Sequence, residues 1–91
     1  MTRDTTNTIT ISVRFFARLR EELGVDSEPM TLAAGGTVAD LVSELAARDG
    51  AWRQLRDGTP VMTAVNQVMV RPERELQEGD EVALFPPVTG G

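Results

Sequence analysis

Ile9-Thr10-Ile11-Ser12-Val13-Arg14-Phe15-Phe16 is the stretch on which the reading of the chain turns. Ile9, Ile11, Val13 and Phe15 occupy every second position, with Thr10, Ser12 and Arg14 between them. A strand sends successive side chains to opposite faces, so this alternation specifies a β-strand with one buried face. Phe16 breaks the pattern, because it falls on the polar side. Directly after it, residues 17–23 (ARLREEL) read as a short helix that Gly24 stops.

Working outward, the two periods keep alternating. Asp26 to Ala33 (DSEPMTLA) is a weaker strand, and Pro29, with no N–H for a ladder, places it at an edge. Gly35-Gly36 is a turn. Thr37 opens the clearest helix, because its hydroxyl and Asp40 are spaced as a capping box. Val38, Leu41, Val42, Leu45 and Ala46 then form one apolar stripe. Arg48 is expected in the last turn, with Gly50 ending the helix. Residues 51–56 (AWRQLR) suggest a further turn with Trp52 and Leu55 inward, and Asp57-Gly58 is a turn signal.

The final third returns to period two. Val61 to Asn66 and Val68 to Val70 are short strands, with Asn66 and Gln67 satisfying the turn between them. A charged stretch follows, Gly79-Asp80 turns the chain, and Glu81 to Phe85 is the last strand. The acidic residues Glu73, Glu75, Glu78, Asp80 and Glu81 read as a solvated loop, partly balanced by Arg71 and Arg74, or else as a surface that steers a basic partner. Pro86-Pro87 ends the strand. With no repeat or linker, the expectation is one α+β domain over residues 9–87, flanked by flexible tails at 1–8 and 88–91.

Composition narrows the chemistry. The chain has 91 residues and a formal charge of −5, from 9 basic against 14 acidic side chains. Every base is arginine, and cysteine, histidine and tyrosine are absent. Without Cys or His, thiolate nucleophiles, zinc sites of the usual kind and the commonest general base are excluded, and no metal site is expected. An acidic chain is a poor match for nucleic acid. No apolar run suits a signal peptide or a membrane span, so a cytoplasmic location is expected.

The unusual segment is Pro86-Pro87-Val88-Thr89-Gly90-Gly91. Proline fixes φ and favours an extended backbone that points away from the domain. Four residues beyond Pro87 reach roughly 13 Å at about 3.3 Å each. Gly90 and Gly91 lack Cβ, so they suit a narrow channel and leave a terminal carboxylate unshielded. Parity adds a second clue. Phe16, Met69 and Phe85 each lie opposite their strand's core residues, with Val68, Val70, Val82 and Leu84 expected inward. If the three share one sheet face, they make an exposed apolar patch of the kind that marks an interface. The alternative for Phe16 is packing under the 17–23 helix. Trp52 and Leu55 read as core.

These segments resemble a known family. SVRFFARLREELG, TVADLVSELAAR, AVNQ at 64–67 and above all LQEGDEVALFPPVTGG are similar to the ubiquitin-like β-grasp sulfur carriers, and most of all to the small subunits of molybdopterin synthase. The resemblance covers residues 9–91 and departs from the family's ending only at Leu84, where an aromatic is usual. It implies a β-grasp fold, with a mixed sheet packed on one main helix plus short helices. It implies that an E1-like enzyme adenylates Gly91 with ATP, that a sulfur donor converts it to a thiocarboxylate, and that the tail then enters a large synthase subunit. There the sulfur attacks cyclic pyranopterin monophosphate to build a dithiolene. By the same resemblance two carriers flank a dimer of large subunits, docking through a sheet face next to the tail. Phe16, Met69, Phe85, Pro86, Pro87, Val88 and Thr89 would contact partners, and the chain would bind no cofactor of its own. Other readings stay open: a carrier for thiamine, cysteine or tRNA thiolation, a ubiquitin-like protein modifier, or an interaction domain with an inert tail.

Overall fold

The computed structural model describes residues 7–55 and 61–86. The expected turn at Asp57-Gly58 and the segment Pro87 to Gly91 lie outside the described residues. In chain order the elements are β1 (Thr8–Phe15), α1 (Ala17–Leu23), β2 (Ser27–Ala33), α2 (Val38–Ala46), a 3-10 turn (Gly50–Leu55), β3 (Met62–Val65), β4 (Val68–Met69) and β5 (Glu81–Phe85). The strands form one sheet in the order β2-β1-β5-β3-β4. β1 and β5 run parallel, while β1–β2, β3–β5 and β3–β4 are antiparallel. A mixed sheet with its first and last strands side by side at the centre is the ubiquitin-like β-grasp.

Alternation in β1 does what its sequence implied. Ile11, Val13 and Phe15 are buried while Thr10, Ser12 and Arg14 are exposed. The inner face meets the stripe of α2, where Val38, Leu41 and Leu45 are almost wholly buried. Thr37 caps that helix as a true capping box: its hydroxyl accepts from the Asp40 N–H at 3.2 Å, and the Asp40 carboxylate accepts from the Thr37 N–H at 3.0 Å. Such a cap contributes about 1 kcal/mol by satisfying donors the helix leaves free. α1 is short, buries Leu19, and ends at Gly24, whose left-handed φ of 79° lets its N–H reach the Arg20 carbonyl. Pro29 does sit on an edge strand, opposite Ser12.

Three expectations need correction. α2 ends at Ala46 with Ala47 as its cap, so Arg48 lies beyond the last turn. Arg48 is held elsewhere: it donates to both Glu28 oxygens, at 3.0 and 2.6 Å, and its guanidinium lies 4.5 Å from the centre of the Trp52 ring. Gly50, with φ of 76°, opens the 3-10 turn instead of ending α2. Second, Val68 is 61% exposed. It pairs with buried Val65 and so shares the core face, but β4 is the outermost strand and has a neighbour on one side only. Third, the charged stretch is not all solvated. Leu76 joins the core, and Asp80 is only 6% exposed. The loop is pinned to α2 because the Val38 and Ala39 N–H groups donate to the carbonyls of Arg74 and Pro72.

The Glu28–Arg48 pair gives stability a sign with pH. The guanidinium beside Glu28 holds its carboxyl below the ordinary value of 4.5, its hydrogen bonds outweighing partial burial. A carboxyl depressed on folding stabilises the native state above its unfolded value, and that contribution fades as pH falls through the depressed one. Urea midpoints of the native chain and Glu28→Gln should therefore differ by a constant amount near neutrality. The gap should close as pH drops below 4.5. A gap that widens in acid would contradict the pairing.

Candidate functional site

The outer face of the sheet carries the unusual chemistry, because large apolar side chains stand there without a covering layer. The register sets out two rows. Met62 faces Phe85 across the β3–β5 ladder, and the Phe16 N–H donates to the Leu84 carbonyl at 3.1 Å, which brings Phe16 alongside Phe85. Their rings meet edge to face, with centroids 6.3 Å apart and an interplanar angle of 82°. In the next row Arg14, Ala83, Ala64 and Met69 follow one another across β1, β5, β3 and β4. Phe16 is 37% exposed, Met62 39% and Met69 51%, while Phe85 and Pro86 are half-buried.

Local backbone chemistry aims these residues. Phe16 leaves the strand with an extended backbone, and Ala17 then takes a φ of 55°, in the left-handed region. That conformation costs a residue with a Cβ about 1 kcal/mol, and it turns the chain sharply into α1. Phe16 therefore stays on the outer face, as its parity implied; its exposure and ring contact exclude the alternative of packing under α1. Arg14 completes the border. Its Nη1 donates to Glu81 Oε2 at 3.0 Å, and its guanidinium lies 5.6 Å from the Phe16 ring centre.

The β3–β4 hairpin that presents Met69 is clamped from below. Asn66 and Gln67 both have positive φ, 50° and 72°, which gives the tight twisted turn favoured by two-residue hairpins. Asn66 Oδ1 accepts from the Glu81 N–H at 3.0 Å, and Asn66 Nδ2 donates to Asp80 Oδ1 at 3.0 Å. The other Asp80 oxygen accepts from the Gln77 N–H at 2.8 Å. The Asn66 side chain thus bonds across to the start of β5 and not to backbone groups of its own turn, because residues 80 and 81 lie against the hairpin. Asp80 is a structural anchor whose oxygens are both occupied.

Of the residues singled out in the sequence, the structure brings Phe16, Met69 and Phe85 to one face, with Pro86 half-buried directly after β5. Pro87, Val88, Thr89, Gly90 and Gly91 lie outside the described residues. Met62 and Arg14 were missed. Both were available to parity, since Met62 alternates with Thr63 and Arg14 with Val13. Among the described residues no cluster of acidic, His or Cys side chains is arranged to hold a metal. The clefts beside α2 are lined by Val38, Ala39, Val42, Ser43, Ala46, Ala47, Leu55, Val61, Thr63 and Pro72, none of which titrates.

A ubiquitin-like β-grasp with an apolar outer face beside the root of its C-terminal segment defines a class of carrier and modifier proteins. The ThiS family model matches residues 13–91. The molybdopterin synthase sulfur carrier subunit of Escherichia coli (strain K12) is 42% identical over 81 residues, which span 89% of this chain and 99% of that protein. A solved structure described as molybdopterin converting factor subunit 1 of Pyrococcus furiosus superposes with a TM-score of 0.74 at 34% identity, covering 88% of this chain and 99% of that one. The fold is also shared, with a TM-score of 0.61 and 24% identity, by a chain in the complex of subunits 1 and 2 of molybdopterin-converting factor from Helicobacter pylori 26695, over 91% of this chain and 100% of that one. The chain belongs to the ThiS family.

Removing the anchor tests the clamp. Asp80→Ala leaves the Gln77 N–H and the Asn66 amide without their buried acceptor, a loss of roughly 1–3 kcal/mol. Urea unfolding should show a lower midpoint with the slope unchanged. Wild-type stability in that variant would mean that the carboxylate is dispensable.

Proposed function

We propose that this chain is the sulfur carrier subunit of a molybdopterin synthase, working through the carboxylate of Gly91. The observation that carries the reading is the near end-to-end match to the E. coli subunit of that name, together with a family match that runs through Gly91. The chemistry fits a chain without reactive side chains. A free carboxylate is a poor electrophile, so an E1-like enzyme joins it to the α-phosphate of ATP and releases pyrophosphate. Sulfur from a donor then displaces AMP and leaves a C-terminal thiocarboxylate. In the large subunit that sulfur attacks cyclic pyranopterin monophosphate, and two such transfers build the dithiolene. Hydrolysis of the acyl group returns the carboxylate.

Each part of the chain has a task in this scheme. Phe16, Met62, Met69 and Phe85 dock on the partner, and Arg14 borders them. Pro86 and Pro87 carry the chain away from β5. Val88 and Thr89 line the path into the partner, and Gly90 and Gly91 pass its narrowest part, because they have no Cβ. ATP and the acid–base groups belong to the partners, and this chain holds no cofactor. The H. pylori complex of subunits 1 and 2 supports a large-subunit partner. The assembly proposed is two large and two small subunits in the cytoplasm. No described helix is long and apolar enough to cross a membrane.

Intact mass tests the central step. Co-expression with the E1-like enzyme and a sulfur donor should raise the mass by the difference between sulfur and oxygen, and deletion of Gly90-Gly91 should abolish the change. An unchanged mass beside competent partners would sink the carrier reading, and recovery of a thiazole synthase in place of the large subunit would move it to another pathway. For docking, Phe85→Ala should weaken large-subunit binding roughly tenfold or more while the circular dichroism spectrum stays native. Loss of the folded state would instead place Phe85 in the core.

A further inference from the structure

The docking face carries sulfur of its own. Met62 and Met69 stand on the outer face, 39% and 51% exposed, one across the ladder from Phe85 and the other from Ala64. The remaining methionine among the described residues, Met30, is half-buried and packed against the core. The chain has no cysteine, so no thiol competes for an oxidant. A methionine thioether is soft and apolar, well suited to an adaptable contact surface. Its sulfoxide is polar and carries a strong acceptor, and oxidation at a Met-lined interface disrupts it.

We infer that Met62 and Met69 are oxidation sites through which peroxides keep the free carrier from docking on its partners. The inference rests on the docking role proposed above for the same face. The step is a two-electron transfer. A thioether lone pair attacks one peroxide oxygen, an S–O bond forms and the O–O bond breaks. The other oxygen leaves with a proton as water or alcohol. Sulfur is oxidised and the peroxide is reduced. The free carrier leaves both side chains partly open to solvent, and a bound partner covers them, so oxidation strikes the carrier between encounters. A sulfoxide buried against an apolar partner surface would lack a donor for its oxygen, and an unsatisfied buried acceptor is costly. The modified face therefore docks poorly. Fold is spared, because neither side chain belongs to the buried core.

Hydrogen peroxide applied to the purified full-length carboxylate form provides the test, since that form carries no thiocarboxylate to oxidise. Peptide mass mapping should find added oxygen at Met62 and Met69 before Met30. The oxidised chain should keep its circular dichroism spectrum and bind the purified large subunit roughly tenfold more weakly. The Met62→Leu/Met69→Leu chain, whatever its own affinity, should lose none of it on treatment, whereas Met30→Leu should stay as sensitive as the native chain. Oxidation of Met30 first, or unchanged affinity in a chain fully oxidised at both outer positions, overturns the inference. A peroxide effect that persists in the double variant does the same. Failure of the untreated chain to bind the large subunit strikes the docking role itself, and the inference falls with it.

Discussion

Everything else in this structure depends on the parallel pairing of β1 with β5 at the centre of the sheet. It joins segments far apart in sequence, as the Arg14–Glu81 bond across 67 positions measures. It closes the core, because Val13 faces Val82 and Phe15 faces Leu84, all of them buried. It also builds the apolar outer face. Continuing the ladder by one residue brings the Phe16 N–H to the Leu84 carbonyl and so sets Phe16 beside Phe85. One hydrogen-bonded register serves the inner and the outer face at once. A slip by one residue would exchange them.

The division of labour between the two faces explains the chain's chemistry. The inner face is spent on stability, through α2, its capping box and the aliphatic core. The outer face is itself divided. Thr8, Thr10 and Ser12 on β1 with Ser27, Pro29 and Thr31 on β2 make a polar half, while the apolar residues gather on β5, β3 and β4. The apolar half includes the end of β5 at Phe85. Charged groups near it are already spoken for: Arg14 with Glu81, and Asp80 with Asn66 and Gln77. A partner that covers this region meets few unpaired charges, whose burial would be expensive.

Local patterns were the legible part of the sequence. Alternation from Ile9 to Phe15, the Thr37–Asp40 spacing and the stripe from Val38 to Ala46 each depend on near neighbours, and each describes the fold correctly. The edge position of Pro29 was legible for the same reason, since a missing N–H is a local fact. What escaped were residues whose role is set across the chain. Arg48 was assigned to a helix end by proximity, yet Glu28 and Trp52 hold it. Leu76 and Asp80 sit in a run of charges, and only the fold reveals one as core and the other as a hairpin anchor. Val68 was placed on the right face but at the wrong depth, because parity specifies direction and not what lies beyond the edge. The apolar outer face was half read: parity picked out Phe16, Met69 and Phe85, and the same alternation was there to be followed to Met62 and Arg14.

The central pairing has a temporal consequence. A ribosome makes β1 first and β5 last, so the middle of the sheet stays empty until nearly the whole chain has been synthesised. A product cut short before residue 81 has no strand to lay beside β1, and Phe16 has no Phe85 to meet. It therefore lacks the paired rings of the outer face. The strand that fills the centre of the sheet is also the one that leads into the Gly90-Gly91 sequence. Assembly of the outer aromatic pair is thereby tied to the synthesis of β5.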